Sequence, residues 1–277
     1  MSRKKKSMKS WKQNPSEKKT QNQLENKVEK ETKENPFNRA ETIFLNSISH
    51  DIRTPLNVII GYTELASAHV NEAQEVKRYL SKIQTASKHL LLLVNDVLDM
   101  SHIESGTLKL EHAPVYFPDV LEDLKSIVQT DISAKQLEFH VDTKNMVHKN
   151  VITDKLRLNQ VLLNILENAV KYTRPGGKIC FQIQELKGQE PEFAKYEFRV
   201  KDTGIGMSEE FIEHIFEPFS REQTSTVSGI EGMGLGMAIV KKIVDRMGGT
   251  IAVKSRQGKG TEVRVILLFK VSSRVAE

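Results

Sequence analysis

The sequence predicts two folded modules in series: a hairpin of long amphipathic helices, then an α/β sandwich with a mixed sheet. Three observations carry this. Apolar residues recur at helical spacing over about residues 43–60 and again over 76–98, with Asn71 and Glu72 between them. After Gly106 the period changes and two-residue alternation begins. The later strands and helices do not alternate strictly, which argues against a doubly wound parallel sheet.

Residues 1–35 come first in the chain and carry eleven Lys and Arg against five Glu, with few apolar residues. Such a segment cannot bury enough surface to fold alone, so a disordered basic tail is expected. Asn35-Pro36 reads as a helix start, with Asn as cap and Pro in the first turn. The first helix then places Ile43, Ile48, Ile52, Leu56, Ile59 and Ile60 along one stripe. His50 falls two residues from both Ile48 and Ile52, roughly opposite that stripe, so an exposed imidazole is expected. The second helix carries Val76, Leu80, Ile83, Leu90, Leu91, Val94, Val97 and Leu98. Two antiparallel helices do not cover both stripes by themselves. A homodimer that forms a four-helix bundle does. Residues 36–104 are therefore read as a dimerisation hairpin.

The second module is placed at 105–272. Leu108-Lys109-Leu110 and Leu137–Val141 alternate like strands around a helix near 118–130. Asp154–Tyr172 reads as an amphipathic helix, and 178–187 and 195–202 as strands joined by a Gly188/Pro191 turn. Residues 207–230 read as a long irregular loop. A helix over 235–247 is closed by Gly248-Gly249, and strands over 250–255 and 261–269 follow.

Composition narrows the function classes. The net charge of +5 is accounted for by the N-terminal tail, which leaves the rest near neutral and disfavours nucleic acid as a partner. Membrane contact is expected only through that tail. No apolar run reaches the ~18 residues that span a bilayer. Cys180 is the sole cysteine and cannot form an internal disulfide, so the cytoplasm is the expected compartment. Its neighbours Ile179, Phe181 and Ile183 suggest a small buried hydrophobe.

Asn164 and Asn168 lie four apart, so both amides leave one helix face. Their carbonyl oxygens suit Mg2+, and Lys171 follows where phosphate charge could be met. The plainer reading is a helix with polar surface residues. Asp202-Thr203-Gly204-Ile205-Gly206 ends a strand with a carboxylate able to accept from an exocyclic amine such as that of adenine, and with glycines that admit close approach. Gly232, Gly234 and Gly236 precede a helix whose first N–H groups favour phosphate. Their spacing fits neither a dinucleotide fingerprint nor a Walker loop. Phe216 and Phe219 read as anchors of the loop, or as the hinge of a lid over a nucleotide. Arg221 is either a γ-phosphate ligand or an ordinary surface arginine.

Each signal is modest, but their order is specific. Ser49–Leu56, Asn164–Thr173, Asp202–Gly206, Phe216–Phe219, Gly232–Gly236 and Gly260-Thr261 together resemble the sensor histidine kinases of two-component signalling. The resemblance covers nearly everything after about residue 38. It implies a phosphoacceptor and dimerisation domain followed by a Bergerat-type ATP-binding domain. It makes His50 the phosphoacceptor, Asp51 the general base, and Thr54 the residue tied to dephosphorylating the partner. It makes Asn168 the Mg2+ ligand with Asn164 assisting, and Asp202 the reader of adenine. It places Lys171 and Tyr172 in the nucleotide site and Thr261 in the motif that closes it. ATP and Mg2+ are the implied cofactors. With no sensor or receiver domain read in these residues, the implied partner is a separate response-regulator receiver. Two competing readings stand beside this one. A clamp ATPase of the same superfamily would need a carboxylate where Asn164 stands. A dimeric scaffold, or a regulator biased toward dephosphorylation, would bind ATP and rarely transfer it.

Overall fold

The computed structural model describes residues 36–187, 192–222 and 233–272, and leaves out the side chains of 36–48, 50, 103 and 104. The basic tail, the Gly188/Pro191 turn, Gly232 and the expected exposure of His50 therefore lie outside the described residues. By internal contacts the chain divides into Met1–Thr54 and Pro55–Glu277.

In the first unit every described residue is helical. It holds the N-terminal part of α1 (Pro36–Ala68), where Asp51 and Ile52 are partly buried and Ser49, Arg53 and Thr54 are exposed.

The second unit begins at Pro55, which is buried within α1 and has no N–H for the helical ladder. Thr63 and Ser67 return their hydroxyls to carbonyls one turn back, and the chain reverses at residues 69–72. There the Glu72 N–H donates to His69 O at 2.8 Å. The helix α2 (Ala73–Glu104) then runs back, and the Tyr62 and His69 rings lie 5.8 and 5.9 Å from that of Tyr79. Leu80, Leu91, Leu92, Val94 and Leu98 of α2 stay exposed.

The remaining elements are β1 (Ala113–Tyr116), α3 (Phe117–Ala134), β2 (Glu138–Lys144), β3 (Asn150–Thr153), α4 (Lys155–Tyr172), β4 (Lys178–Leu186), β5 (Phe193–Asp202), α5 (Glu209–His214), α6 (Gly236–Arg246), β6 (Thr250–Arg256) and β7 (Gly260–Val271). The strands form one mixed sheet in the order β1-β3-β7-β5-β4-β2, with β6 also paired to β7. Only β2 and β4 run parallel among the described pairs. One sheet face presents Ile179, Phe181, Tyr196, Phe198, Val265 and Phe269 to the core, all nearly inaccessible. Phe117, at the start of α3, inserts among them, with ring centroids 4.6 Å from Tyr196 and 5.5 Å from Phe269. Truncating a ring in such a cluster typically costs ~3–5 kcal/mol. The helices α3, α4 and α6 supply the opposing apolar layer through Leu124, Val161, Leu162, Leu166, Ile239 and Ile243.

Three expectations are corrected, and one strand is added. Cys180 is exposed: the two-residue period that buries Ile179, Phe181 and Ile183 sends the residue between them to the open face. Leu108-Lys109-Leu110 is not a strand. Leu108 is buried and its N–H turns back to His102 O, while the strand forms later at 113–116. Pro114 is tolerated there because β1 lies at the sheet edge. The short strand β3 was not foreseen. The stretch over 207–230 is not wholly irregular, since Ser208 caps the short helix α5. Among the described residues, no helix is long and apolar enough to cross a membrane.

Candidate active site

The helix α4 is the spine of the site. Asp154 caps it by accepting from Arg157 N at 3.0 Å, and its other oxygen accepts from Glu111 N at 2.9 Å. Leu158, Val161, Leu162, Ile165 and Leu166 fix the helix on the sheet. That rotation leaves Asn164, Asn168, Lys171 and Tyr172 half-buried along one flank, where all four line a cavity of about 330 Å³.

Asp202 forms the second wall. It ends β5 only 7 % exposed, and its Oδ1 accepts from Gly204 N at 2.8 Å and Thr261 N at 3.2 Å. Burial raises the proton affinity of this carboxyl above the ordinary range, and the two backbone donors pull it partly back. Gly206 follows with φ +64, and a β-carbon there would stand 2.0 Å from Arg256 O. This close approach brings the β5 turn against the β6–β7 turn.

The third wall is the entry to α6. Its cap position, Leu235, offers no side-chain hydrogen bond to the first turn, and the start of a helix favours an anion. Gly234 and Gly236 line the cavity here. A β-carbon on Gly236 would meet Asn164 Oδ1 at 2.8 Å. The Asn164 Nδ2 donates to Gln160 O at 3.1 Å, which turns that oxygen toward the start of α6. Arg221 and Thr261 also border the cavity, and Lys171 Nζ lies 5.0 Å from the centre of the Tyr172 ring. Burial raises the Tyr172 phenol, and the positive charge of Arg221 opposes that shift.

Among the described residues no cluster of three or more His, Cys, Asp or Glu could hold a metal by itself. The Asn164 and Asn168 amides both line the cavity, and carbonyl oxygens of this kind fit a hard cation that also takes ligands from phosphate.

The cavity thus gathers Asn164, Asn168, Lys171, Tyr172, Asp202, Gly206, Arg221, Gly234, Gly236 and Thr261. It does not gather Gly204, Phe216 or Phe219. Gly204 supports Asp202 from behind. Phe219 adopts φ +65 and donates its N–H to Gly234 O at 3.1 Å, which matches an anchor of the loop. His50, Asp51 and Thr54 belong to the other unit, on α1. Sequence reasoning missed His89, Leu92, Leu93 and Asp96, which line the cavity from α2. Nothing in a regular helical repeat marked them. Glu222 was also missed, although it accepts from Ser208 N and Gln257 Nε2 at the cavity edge.

Residues 40–106 match the family described as the His Kinase A (phospho-acceptor) domain, and residues 153–271 match the histidine kinase-, DNA gyrase B- and HSP90-like ATPase family. The chain belongs to the sensor histidine kinases of two-component signalling. Among relatives, this histidine kinase chain is 35% identical over 238 residues to the autoinducer 2 sensor kinase/phosphatase LuxQ of Vibrio parahaemolyticus, which covers 86% of this chain and 27% of LuxQ. It is 36% identical to the sensor protein GacS of Pseudomonas syringae, over 83% of this chain and 25% of GacS. It spans about a quarter of the length of these relatives. A crystal structure of full-length ShkA in complex with AMPPNP matches with a TM-score of 0.61 and 29% identity, over 83% of this chain and 46% of that one.

Proposed function

We propose that this chain is an ATP-dependent protein histidine kinase that phosphorylates its own His50 and passes the phosphoryl group to an aspartate of a separate response regulator. The observation that carries the reading is the cavity that joins Asn164, Asn168 and Lys171 to Asp202 and Thr261, in a chain whose residues 40–106 match a phosphoacceptor domain. In this reading residues 36–104 form the dimerisation hairpin and 105–272 the ATP-binding domain.

Asp202 accepts from the adenine amine, Lys171 and Arg221 meet the phosphates, and the N–H groups at the start of α6 take the remaining phosphate oxygens. Asn168, assisted by Asn164, would hold Mg2+. When bound, the ion neutralises charge on the transferring phosphoryl group.

A neutral His50 imidazole nitrogen attacks the γ-phosphorus in line. The N–P bond forms as the bond to the ADP oxygen breaks, and Asp51 orients the ring and takes the proton from its other nitrogen. Thr54, one helical turn from His50, serves a second activity that removes phosphate from the partner. The exposed Leu80, Leu91, Val94 and Leu98 favour a homodimer in which α1 and α2 of two copies form a four-helix bundle. The cytoplasm is the proposed location, with membrane contact only through the basic tail.

Incubation with γ-labelled ATP tests the reading. An acid-labile, base-stable label on the protein that is lost in His50→Gln is expected. Release of free phosphate without labelling would overturn the kinase reading in favour of a clamp ATPase.

A further inference from the structure

An α-helix leaves its last four carbonyls without partners inside the helix. In α4 these belong to Ala169, Val170, Lys171 and Tyr172, the turn that carries the cavity-lining Lys171 and Tyr172. The structure accounts for all four. Ala169 O accepts from Thr173 N at 3.1 Å and from Thr173 Oγ1 at 2.6 Å. Tyr172 O accepts from Ile205 N at 3.2 Å. Val170 O and Lys171 O each accept from the ammonium of Lys135, 2.8 Å away in both cases.

Lys135 comes from outside the site. It is the C-cap residue of α3, it is half-buried, and it does not line the cavity. Its own backbone is held in place, since its N–H donates to Asp131 O at 3.1 Å and its carbonyl accepts from Gly176 N at 3.2 Å. A fixed positive charge therefore stands on the negative end of the α4 dipole, where a cation is favoured.

The position of that turn bears on the nucleotide. Tyr172 O is bonded to Ile205 N, in the turn that Asp202 opens. Lys171 and Tyr172 on one side, and Asp202 and Gly206 on the other, thus meet at the last turn of α4. If this turn frays, the phosphate-facing and base-facing walls move relative to each other.

We propose that Lys135 is a positioning residue for nucleotide binding: its ammonium closes the C-terminus of α4 and so sets Lys171 and Tyr172 against the Asp202 turn. The proposal rests on the ATP-site reading above.

The test uses the whole chain. Binding of a non-hydrolysable ATP analogue with Mg2+ is measured by calorimetry, and KM for ATP and kcat by autophosphorylation. Lys135→Met keeps the aliphatic stem and removes the donors. It is expected to weaken analogue binding and raise KM by about five-fold, with a smaller change in kcat. Lys135→Arg, which keeps charge and donors, should return both to within about two-fold of the unaltered chain. A purely structural role would lower the melting temperature and the active fraction, and would leave the affinity of the folded molecules unchanged. Lys135→Met with unaltered affinity, or an equal loss in Met and Arg, overturns the proposal. If Lys135→Met does not fold, Lys135→Gln, with one donor group, should bind with intermediate affinity, and unaltered binding by it overturns the proposal. Failure of the unaltered chain to bind the analogue would overturn the site itself. Normal binding with an unmoved Lys135→Met overturns Lys135 alone.

Discussion

Arg157 on α4 donates from Nη1 to Asp99 Oδ1 on α2 at 2.8 Å, while Gln160 Nε2 takes the other Asp99 oxygen at 2.6 Å. Arg157 also donates to Gln160 Oε1 at 2.7 Å. The two charged side chains are only 16% and 19% exposed, so this triad pins α2 to the helix that carries the site. Removing either charge leaves the other desolvated with a broken network. Asp99→Ala and Arg157→Ala should each cost about 2–3 kcal/mol in denaturant unfolding. The double variant should cost well under the sum, and strict additivity would show that the two side chains act independently.

Asp202 serves the fold and the ligand through the same carboxyl. An asparagine keeps an oxygen for Gly204 N and Thr261 N, but it loses the charge and gains donors. Asp202→Asn is expected to melt near the unaltered temperature while losing the preference for ATP over GTP. Asp202→Ala should lose the preference and also destabilise the turn by about 1–3 kcal/mol. Paired melting curves and competitive nucleotide binding separate the two effects. Retained ATP preference in Asp202→Asn would count against this carboxyl as the reader of the base.

What the sequence made legible follows from periodicity and motif order. The 3.6-residue pattern of α4 marked the apolar stripe that is buried over Leu158 to Leu166, and the four-residue spacing of Asn164 and Asn168 put both amides on one face. Capping and glycine signals placed α6 to within one residue at each end. Cys180 went wrong because apolar neighbours were read without carrying the strand period through to its own position. Leu108 to Leu110 went wrong because two side chains in alternation do not show whether a partner strand lies alongside. The contributions of Lys135 and Glu222 depend on hydrogen-bond partners 14 to 38 residues away, and that of Asp96 on a helix docking that leaves no local mark. His50, Asp51 and Thr54 were readable only as a motif.

Two glycines of the site are expected to respond oppositely to alanine. At Gly236 the new methyl would meet the Asn164 amide oxygen at 2.8 Å, and that side chain can move. Gly236 also starts a helix, where alanine is the better former. Gly236→Ala should therefore change stability by under about 1 kcal/mol and still weaken binding of Mg2+–ATP, because a proposed ligand is displaced. At Gly206 the methyl would meet a backbone carbonyl at 2.0 Å with φ at +64, so Gly206→Ala should unfold the turn and cost about 2 kcal/mol or more. Binding by Gly236→Ala equal to that of the unaltered chain would remove Asn164 from the ligand set.

The Asp96 carboxyl projects from α2 into the cavity wall, and its pKa is pushed up from 3.8 to about 6 by burial first, then by the charges of Asp99 and Glu167. His89 and Lys171 border the same cavity. The sign follows from proton binding. Between 3.8 and about 6 the folded chain holds a proton that the unfolded chain has released, so this group's contribution to stability is fullest below 3.8 and is lost as pH rises through about 6. Above that, a charged Asp96 costs the fold about 3 kcal/mol at most, and about half as much once solvent screening of a partly exposed carboxylate is included. Asp96→Asn should thus raise the melting temperature at pH 7.5 and leave it nearly unchanged at pH 4. A gain of equal size at both pH values would show that the substitution acts through packing rather than through charge.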